Sequence, residues 1–245
     1  MAPRIACIFA HPDDETFCVG GIIAKYAAAG ANIDLYCATH GDAGKAAGVP
    51  VSSREELAAI RRVELDVAAR ILGIRSIEMG RHRDGELSQA EMSELVADLV
   101  SFIRRTRPHI VLGFGPEGAP TGHRDHRALS YATTAAFFLS QLATVNPEQQ
   151  LEPFRPWRLF YHAWEYPMPD PRLKLESVPA TALIDVRDWK QKKAAAFEAH
   201  TTQRGSSHAF YSSALVDVER LAFAAGDPQP SPVIDDIFAG LDGID

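Results

Sequence analysis

Two short polar clusters stand out because each follows a run of apolar residues. The first, His11-Pro12-Asp13-Asp14-Glu15, comes directly after the run Ile5 to Ala10. The second, Gly122-His123-Arg124-Asp125-His126, follows the run Ile110 to Phe114 across a loop rich in Gly and Pro. Adjacent carboxylates repel one another, so a positive group is expected among them. Alone, they suit equally well a helix N-terminus, where acidic side chains complement the dipole. Histidines three residues apart suit, by themselves, an exposed helical pair. The combination points further. Imidazole and carboxylate groups from two strand ends suit zinc, and three protein ligands with one open position is the catalytic arrangement. Pro12 fixes its own φ and keeps His11 out of the helical region, so the chain turns sharply there. His11 and Asp14 can then meet on one ion while Asp13 lies beside it. The third ligand comes from the second cluster, where both His126 and His123 are available.

The elements that position these clusters alternate between strand and helix. Strands are expected at Ile5 to Ala10, Ile33 to Thr39, Ile74 to Met79, Ile110 to Phe114, Arg158 to Ala163 and Ala182 to Val186. Arg54 to Leu72 carries Leu57, Ile60, Val63, Val67 and Ile71 at helical spacing, with Gly73 as its stop. Ser88 is expected to cap a helix running through Arg107, with Glu91 as its capping-box partner. The basic run Arg104 to Arg107 then complements the C-terminal end of that helix rather than marking a phosphate site. Further helices are expected over His123 to Leu142, Asp188 to Gln203 and Ser213 to Ala225. Apolar strands alternating with helices imply an α/β, Rossmann-like and mostly parallel sheet with helices on both faces. In such sheets ligands bind beyond the carboxyl ends of the strands, where both clusters sit.

A chain of 245 residues can bury one sizeable core, and a single domain over residues 1–245 is expected. Pro-rich loops are expected at 146–156 and 166–179. The stretch from about 227 to 245 reads as a tail or a subunit contact, which would make the protein a homo-oligomer. A net charge of −7 argues against nucleic acid as a partner. No run reaches the roughly 18 apolar residues of a membrane helix. The start of the chain lacks a signal-peptide pattern, and Cys7, Cys18 and Cys37 make no disulfide framework. A cytoplasmic protein without a membrane partner is therefore expected.

The two clusters together resemble the signature of the LmbE-like (PIG-L) zinc N-deacetylases. Thr39-His40-Gly41-Asp42-Ala43-Gly44, Arg61-Arg62-Val63-Glu64-Leu65, Arg83-Asp84-Gly85 and Ala199-His200-Thr201-Thr202-Gln203 extend that resemblance over about the first 205 residues. It implies that His11, Asp14 and His126 hold one zinc, a site that Fe2+ or another divalent metal can also fill. It makes Asp13 the general base and gives His123 the oxyanion or the leaving amine. Asp125 would orient a histidine, and Asp42, Arg61 and Asp84 would line the substrate cleft. His200 fits either a satisfied helix histidine or a wall of that cleft. Some members place a Tyr two residues before the first His of the second cluster; this chain has Thr121 there.

The substrate implied is a small N-acetylated sugar conjugate, a GlcNAc-type glycoside such as a bacillithiol precursor. One rival is an amidase acting on a thiol conjugate or another small N-acyl compound. Another is a non-catalytic, Rossmann-like nucleotide-binding module. Against the latter, no Gly-x-Gly-x-x-Gly follows the first strand.

Overall fold

Apolar runs that alternate with amphipathic segments can bury themselves only as a sheet covered on both sides. A computed structural model shows this arrangement and describes residues 2–164, 177–204, 214–230 and 233–241. Among these residues, seven strands form one sheet: β1 (Arg4–Phe9), β2 (Asn32–Thr39), β3 (Ser76–His82), β4 (Ile110–Phe114), β5 (Arg158–His162), β6 (Ala182–Asp185) and β7 (Val218–Gly226). Their order is β3-β2-β1-β4-β5-β7-β6. The first five are parallel, whereas β7 runs antiparallel to both β5 and β6. Helices α1 (Asp14–Ala28), α2 (Arg54–Leu72) and α5 (Lys190–Ala199) pack together on one face, and α3 (Met92–Thr106) with α4 (Arg124–Leu139) on the other. The chain winds outward in both directions from the β1/β4 pair. The carboxyl ends of β1 and β4 therefore part to leave a crevice, and the two polar clusters lie there.

Local signals explain both ends of α2. Ser53 accepts the Glu56 N–H at the start of α2, and Gly73, at φ 89°, closes it in the left-handed region that glycine enters at no steric cost. The expected cap at Ser88 does not form. Helix α3 begins at Met92 with Glu91 as its N-cap, and Leu87–Gln89 make a separate 3-10 turn. The cause is tertiary: the N–H groups of Gly85 and Leu87 donate to the Asp125 carboxylate, at 2.7 and 3.2 Å. Leu87 is at the same time fully buried. That stretch is thus bound to the site and cannot start a helix.

The expected helix over 213–225 is also overturned; from Val218 onward it is strand β7. The reason lies in α1, which is broken at Val19 (φ −139°). The break frees the Phe17 carbonyl and the N–H groups of Gly21 and Ile22. Lys193 of α5 donates to the Phe17 oxygen at 2.9 Å, and Glu219 of β7 accepts from Gly21 and Ile22 at 2.9 and 2.7 Å. Lys193 and Glu219 are 2.6 Å apart, each with a side chain only 2% exposed. A buried ion pair thus replaces the missing helical hydrogen bonds, and Glu219 must sit on a strand to reach them. At the far edge of the sheet, Ile234 exchanges backbone hydrogen bonds with Thr181 and Leu183. Ile237 is fully buried, and the Arg158 guanidinium donates to the carbonyls of Pro228, Ile237 and Ala239. Part of the C-terminal stretch therefore packs onto the chain's own sheet. The loop expected at 166–179 lies mostly outside the described residues.

Lys193→Met leaves the Glu219 carboxylate buried without its cation and should cost about 3–5 kcal/mol of stability. The double variant Lys193→Met/Glu219→Leu should recover only part of that loss, because it removes both charges together but leaves the Phe17 carbonyl and the Gly21 and Ile22 N–H groups without their partners. Urea denaturation of the three proteins checks this.

Candidate active site

The crevice between β1 and β4 holds a cavity of about 430 Å³ whose floor and walls include His11, Asp13, Asp14, Arg61, Asp84, His123 and His126. Asp14, in the first turn of α1, lies between two imidazoles. Its Oδ2 is 3.2 Å from His11 Nδ1, and its Oδ1 is 3.4 Å from His126 Nε2. His126 stacks flat on Phe114, with ring centroids 3.9 Å apart. Its Nδ1 faces the Gly118 carbonyl at 3.3 Å. That contact draws the proton of a neutral ring to Nδ1 and leaves the Nε2 lone pair directed at Asp14.

The other nitrogen of His11 faces two more carboxylates: Nε2 is 3.0 Å from Asp84 and 3.3 Å from Asp125. Burial disfavours the imidazolium of His11, but hydrogen bonds with Asp125, Asp14 and Asp84 outweigh it and hold its pKa well above the ordinary value. Burial would likewise raise the carboxylates, yet contact with His11 pulls Asp84 down to about 2 and lowers Asp125. Asp125 is fully buried, fixed by the Gly85 and Leu87 N–H groups. Asp84 Oδ2 accepts the Ala43 N–H at 3.0 Å. Both carboxylates are thus set to orient His11, as the partners of metal-bound histidines do.

His123 is the N-cap of α4, and its Nδ1 accepts the Asp125 N–H at 3.2 Å. Burial first, then His11 and His126, push its pKa down. The neutral ring that results carries its proton on Nε2. The ring stands edge-on to His11 at 5.0 Å.

Asp13 adopts φ 120°, a backbone region that costs a residue with a Cβ of order 1–3 kcal/mol and clusters at functional sites. Arg61, buried on α2, holds this corner: its guanidinium donates to the carbonyls of Gly41 and Pro12 and lies 3.2 Å from Asp13 Oδ1. The structure therefore brings together eight of the nine residues singled out from the sequence. The ninth, Asp42, stands behind them, accepting the Asp84 N–H at 3.0 Å and pairing with Arg54 at 2.7 Å. Several cavity residues carried no individual signal. Phe17 reaches the wall from α1 and stacks on Trp164, and Gln203 arrives from a turn after α5. For Phe17, its place three residues after Asp14 was a usable clue, since that spacing returns to one helix face.

Among the described residues, possible ligand atoms of His11, His123 and His126 lie within 4.8 Å of one another, as do those of His11, Asp84 and Asp125. The donor set of imidazole nitrogens and carboxylates fits a divalent transition metal. Both oxygens of Asp125 already accept backbone N–H groups, as does one oxygen each of Asp84 and Asp14.

Comparison with known proteins follows the same line. The family model described as PIG-L, GlcNAc-PI de-N-acetylase, matches residues 6–137, more than half of the chain. A deacetylase of 1D-myo-inositol 2-acetamido-2-deoxy-alpha-D-glucopyranoside from Rhodococcus erythropolis is 29% identical, over 94% of this chain and 93% of its own. A probable N-acetyl-alpha-D-glucosaminyl L-malate deacetylase 2 from Bacillus anthracis is 33% identical, over 82% and 81%. Among solved structures, the N,N'-diacetylchitobiose deacetylase of Pyrococcus horikoshii superposes with a TM-score of 0.76 at 24% identity, covering 91% of this chain and 84% of that one.

Titrating the chelated protein with Zn2+ by calorimetry should give one site per chain. His126→Ala should abolish that binding, whereas His123→Ala should retain it. Loss of binding in His123→Ala with retention in His126→Ala would reverse the two histidines.

Proposed function

The chain belongs to the PIG-L family, and from that premise we propose that it removes the acetyl group from the amine of an N-acetylglucosamine conjugate, using a divalent cation, zinc in first place. The observation that carries this reading is the Asp14 carboxylate set between His11 and His126, in a cavity whose wall also holds Asp13 and His123. His11, Asp14 and His126 would hold the cation. When bound, it would polarise the acetamide carbonyl and make the attacking water more acidic.

The remaining steps fall to the chain's own side chains. Asp13 accepts the proton of the water whose oxygen attacks the acetyl carbon. Its distorted backbone and the Arg61 guanidinium fix the direction of that carboxylate. His123, neutral and protonated on Nε2, donates a hydrogen bond to the oxygen that becomes negative, a contact worth about 2.7–4 kcal/mol where such donors are removed. Because the lowered pKa of His123 disfavours its imidazolium, the proton that reaches the leaving nitrogen is the one Asp13 took. The C–N bond breaks, and acetate and a free amine leave. Asp125 and Asp84 keep His11 in place throughout, while Arg61 and Asp84 border the space for the sugar.

The two relatives are named for conjugates with different aglycones, inositol and malate. The acetylated amino sugar is their common part, and it is the part assigned to the cavity. A step towards a low-molecular-weight thiol, of the bacillithiol kind, is the setting that follows, with the cytoplasm as its place. No helix among the described residues is long and apolar enough to cross a membrane.

Acetate release should be assayed across N-acetylglucosamine conjugates of malate, inositol and simple alcohols, with zinc restored after chelation. Asp13→Asn should lower turnover by about 10²–10⁴-fold while metal content stays near that of the wild type. Full activity in Asp13→Asn would remove the base from this scheme.

A further inference from the structure

The reading above leaves several residues of the resemblance unused: Glu15, Glu64 and the His200-Thr201-Thr202-Gln203 run. The structure joins them into one circuit. Glu15 is fully buried, and its Oε2 accepts the N–H of Asp13 at 2.9 Å. Its Oε1 meets His200 Nε2 at 3.0 Å and accepts the Thr16 hydroxyl at 2.5 Å. His200 is also fully buried and forms the C-cap of α5. The turn that follows it is tied to α2: Glu64 accepts the Thr202 N–H at 2.8 Å, the Thr202 hydroxyl at 2.7 Å and the Thr201 hydroxyl. One residue further on, Gln203 lines the cavity. Three residues before Glu64, on the same face of α2, Arg61 returns to the Pro12 carbonyl and the Asp13 carboxylate.

We infer that this closed path, Asp13 to Glu15 to His200 to Glu64 and back through Arg61, is a positioning device that holds Asp13 in its φ 120° conformation. The physical need is clear from the backbone. A non-glycine residue leaves that region unless its neighbours over-determine it. Here the N–H of Asp13 is fixed by Glu15, while its carboxylate and the preceding carbonyl are fixed by Arg61. Neither anchor is rigid alone, since each is a long side chain with several rotamers. His200 and the threonine turn supply the stiffness, because they are clamped between α5 and α2. His200 is accordingly a positioning residue that touches neither substrate nor cation and acts through Glu15. The inference rests on the role given to Asp13 above, and one of its measurements is independent of turnover.

The test compares His200→Leu, which removes the ring nitrogen, with His200→Gln, whose amide can still donate to Glu15. In His200→Leu, kcat should fall by about 10- to 100-fold, the range that a displaced catalytic group produces, with KM and Zn2+ affinity unchanged. His200→Gln should restore most of kcat. In an Asp13→Asn background, His200→Leu should cost nothing more, because a residue that acts through Asp13 has nothing left to position. Amide hydrogen exchange of the peptide covering 11–17 should speed up in His200→Leu and not in His200→Gln. If His200→Leu folds poorly, the near-isosteric Thr202→Val should show the same pattern at smaller amplitude. Unchanged kcat in His200→Leu and Thr202→Val, equal losses with and without Asp13, or unaltered exchange in His200→Leu would overturn the inference. A protein that releases no acetate yet shows the exchange pattern would sink the deacetylase reading and leave the strut standing.

Discussion

Negative charge is buried at the end of a core strand, and the rest of the site answers to that. Asp14, Glu15, Asp84 and Asp125 are each at most 8% exposed, and all lie within one loop's reach of His11. An ionised carboxylate removed from water is costly unless it is paired and hydrogen-bonded. Each of the four is accordingly held by imidazole, by backbone N–H groups, or by both. What remains is a cluster of acceptors around buried imidazoles, with Asp14 turned toward two of them. A divalent cation would meet the same electrostatic demand as the imidazolium and would add the Lewis acidity that the proposed deacetylation calls for.

The topology explains why this cluster forms where it does. Winding outward from the β1/β4 pair brings the His11 loop and the His126 helix to one crevice, although 115 positions separate the two histidines. Two devices then refine the geometry. The break in α1, filled by Lys193 and Glu219, lets the turn bearing Asp14 and Phe17 take its own direction. The Asp125 carboxylate gathers the 85–87 segment, so that Asp84 is placed against His11 by the same interaction that unmakes the expected helix cap.

Much of this was legible in the residue order. Continuous apolar runs gave the parallel strands, and the bounds of α2 follow from Ser53 and Gly73, whose cap chemistry is local. The two clusters pointed to a metal site because their residue types are sparse and chemically matched. The misreadings share one physical origin. Ser88 with Glu91 and the Ser213 to Ala225 segment both satisfy a local helical pattern; in the first the distant Asp125 carboxylate claims the backbone, and in the second the segment's own Glu219 is claimed by the Gly21 and Ile22 N–H groups and by Lys193. Asp42 and Arg61 show a milder form of this. Their sequence context suited a substrate cleft, yet most of their hydrogen bonds go to neighbouring loops. Long-range partners of this kind leave no local periodicity, so only the folded chain displays them.

The proposed chemistry requires a cation held on the Asp14 side of His11 rather than on the Asp84 and Asp125 side. Anomalous diffraction at the zinc edge, from crystals of the zinc-loaded protein, separates the two directly. A single peak in contact with His11, Asp14 and His126 is expected. A peak between His11, Asp84 and Asp125, or no peak in a crystal soaked with excess zinc, would contradict it.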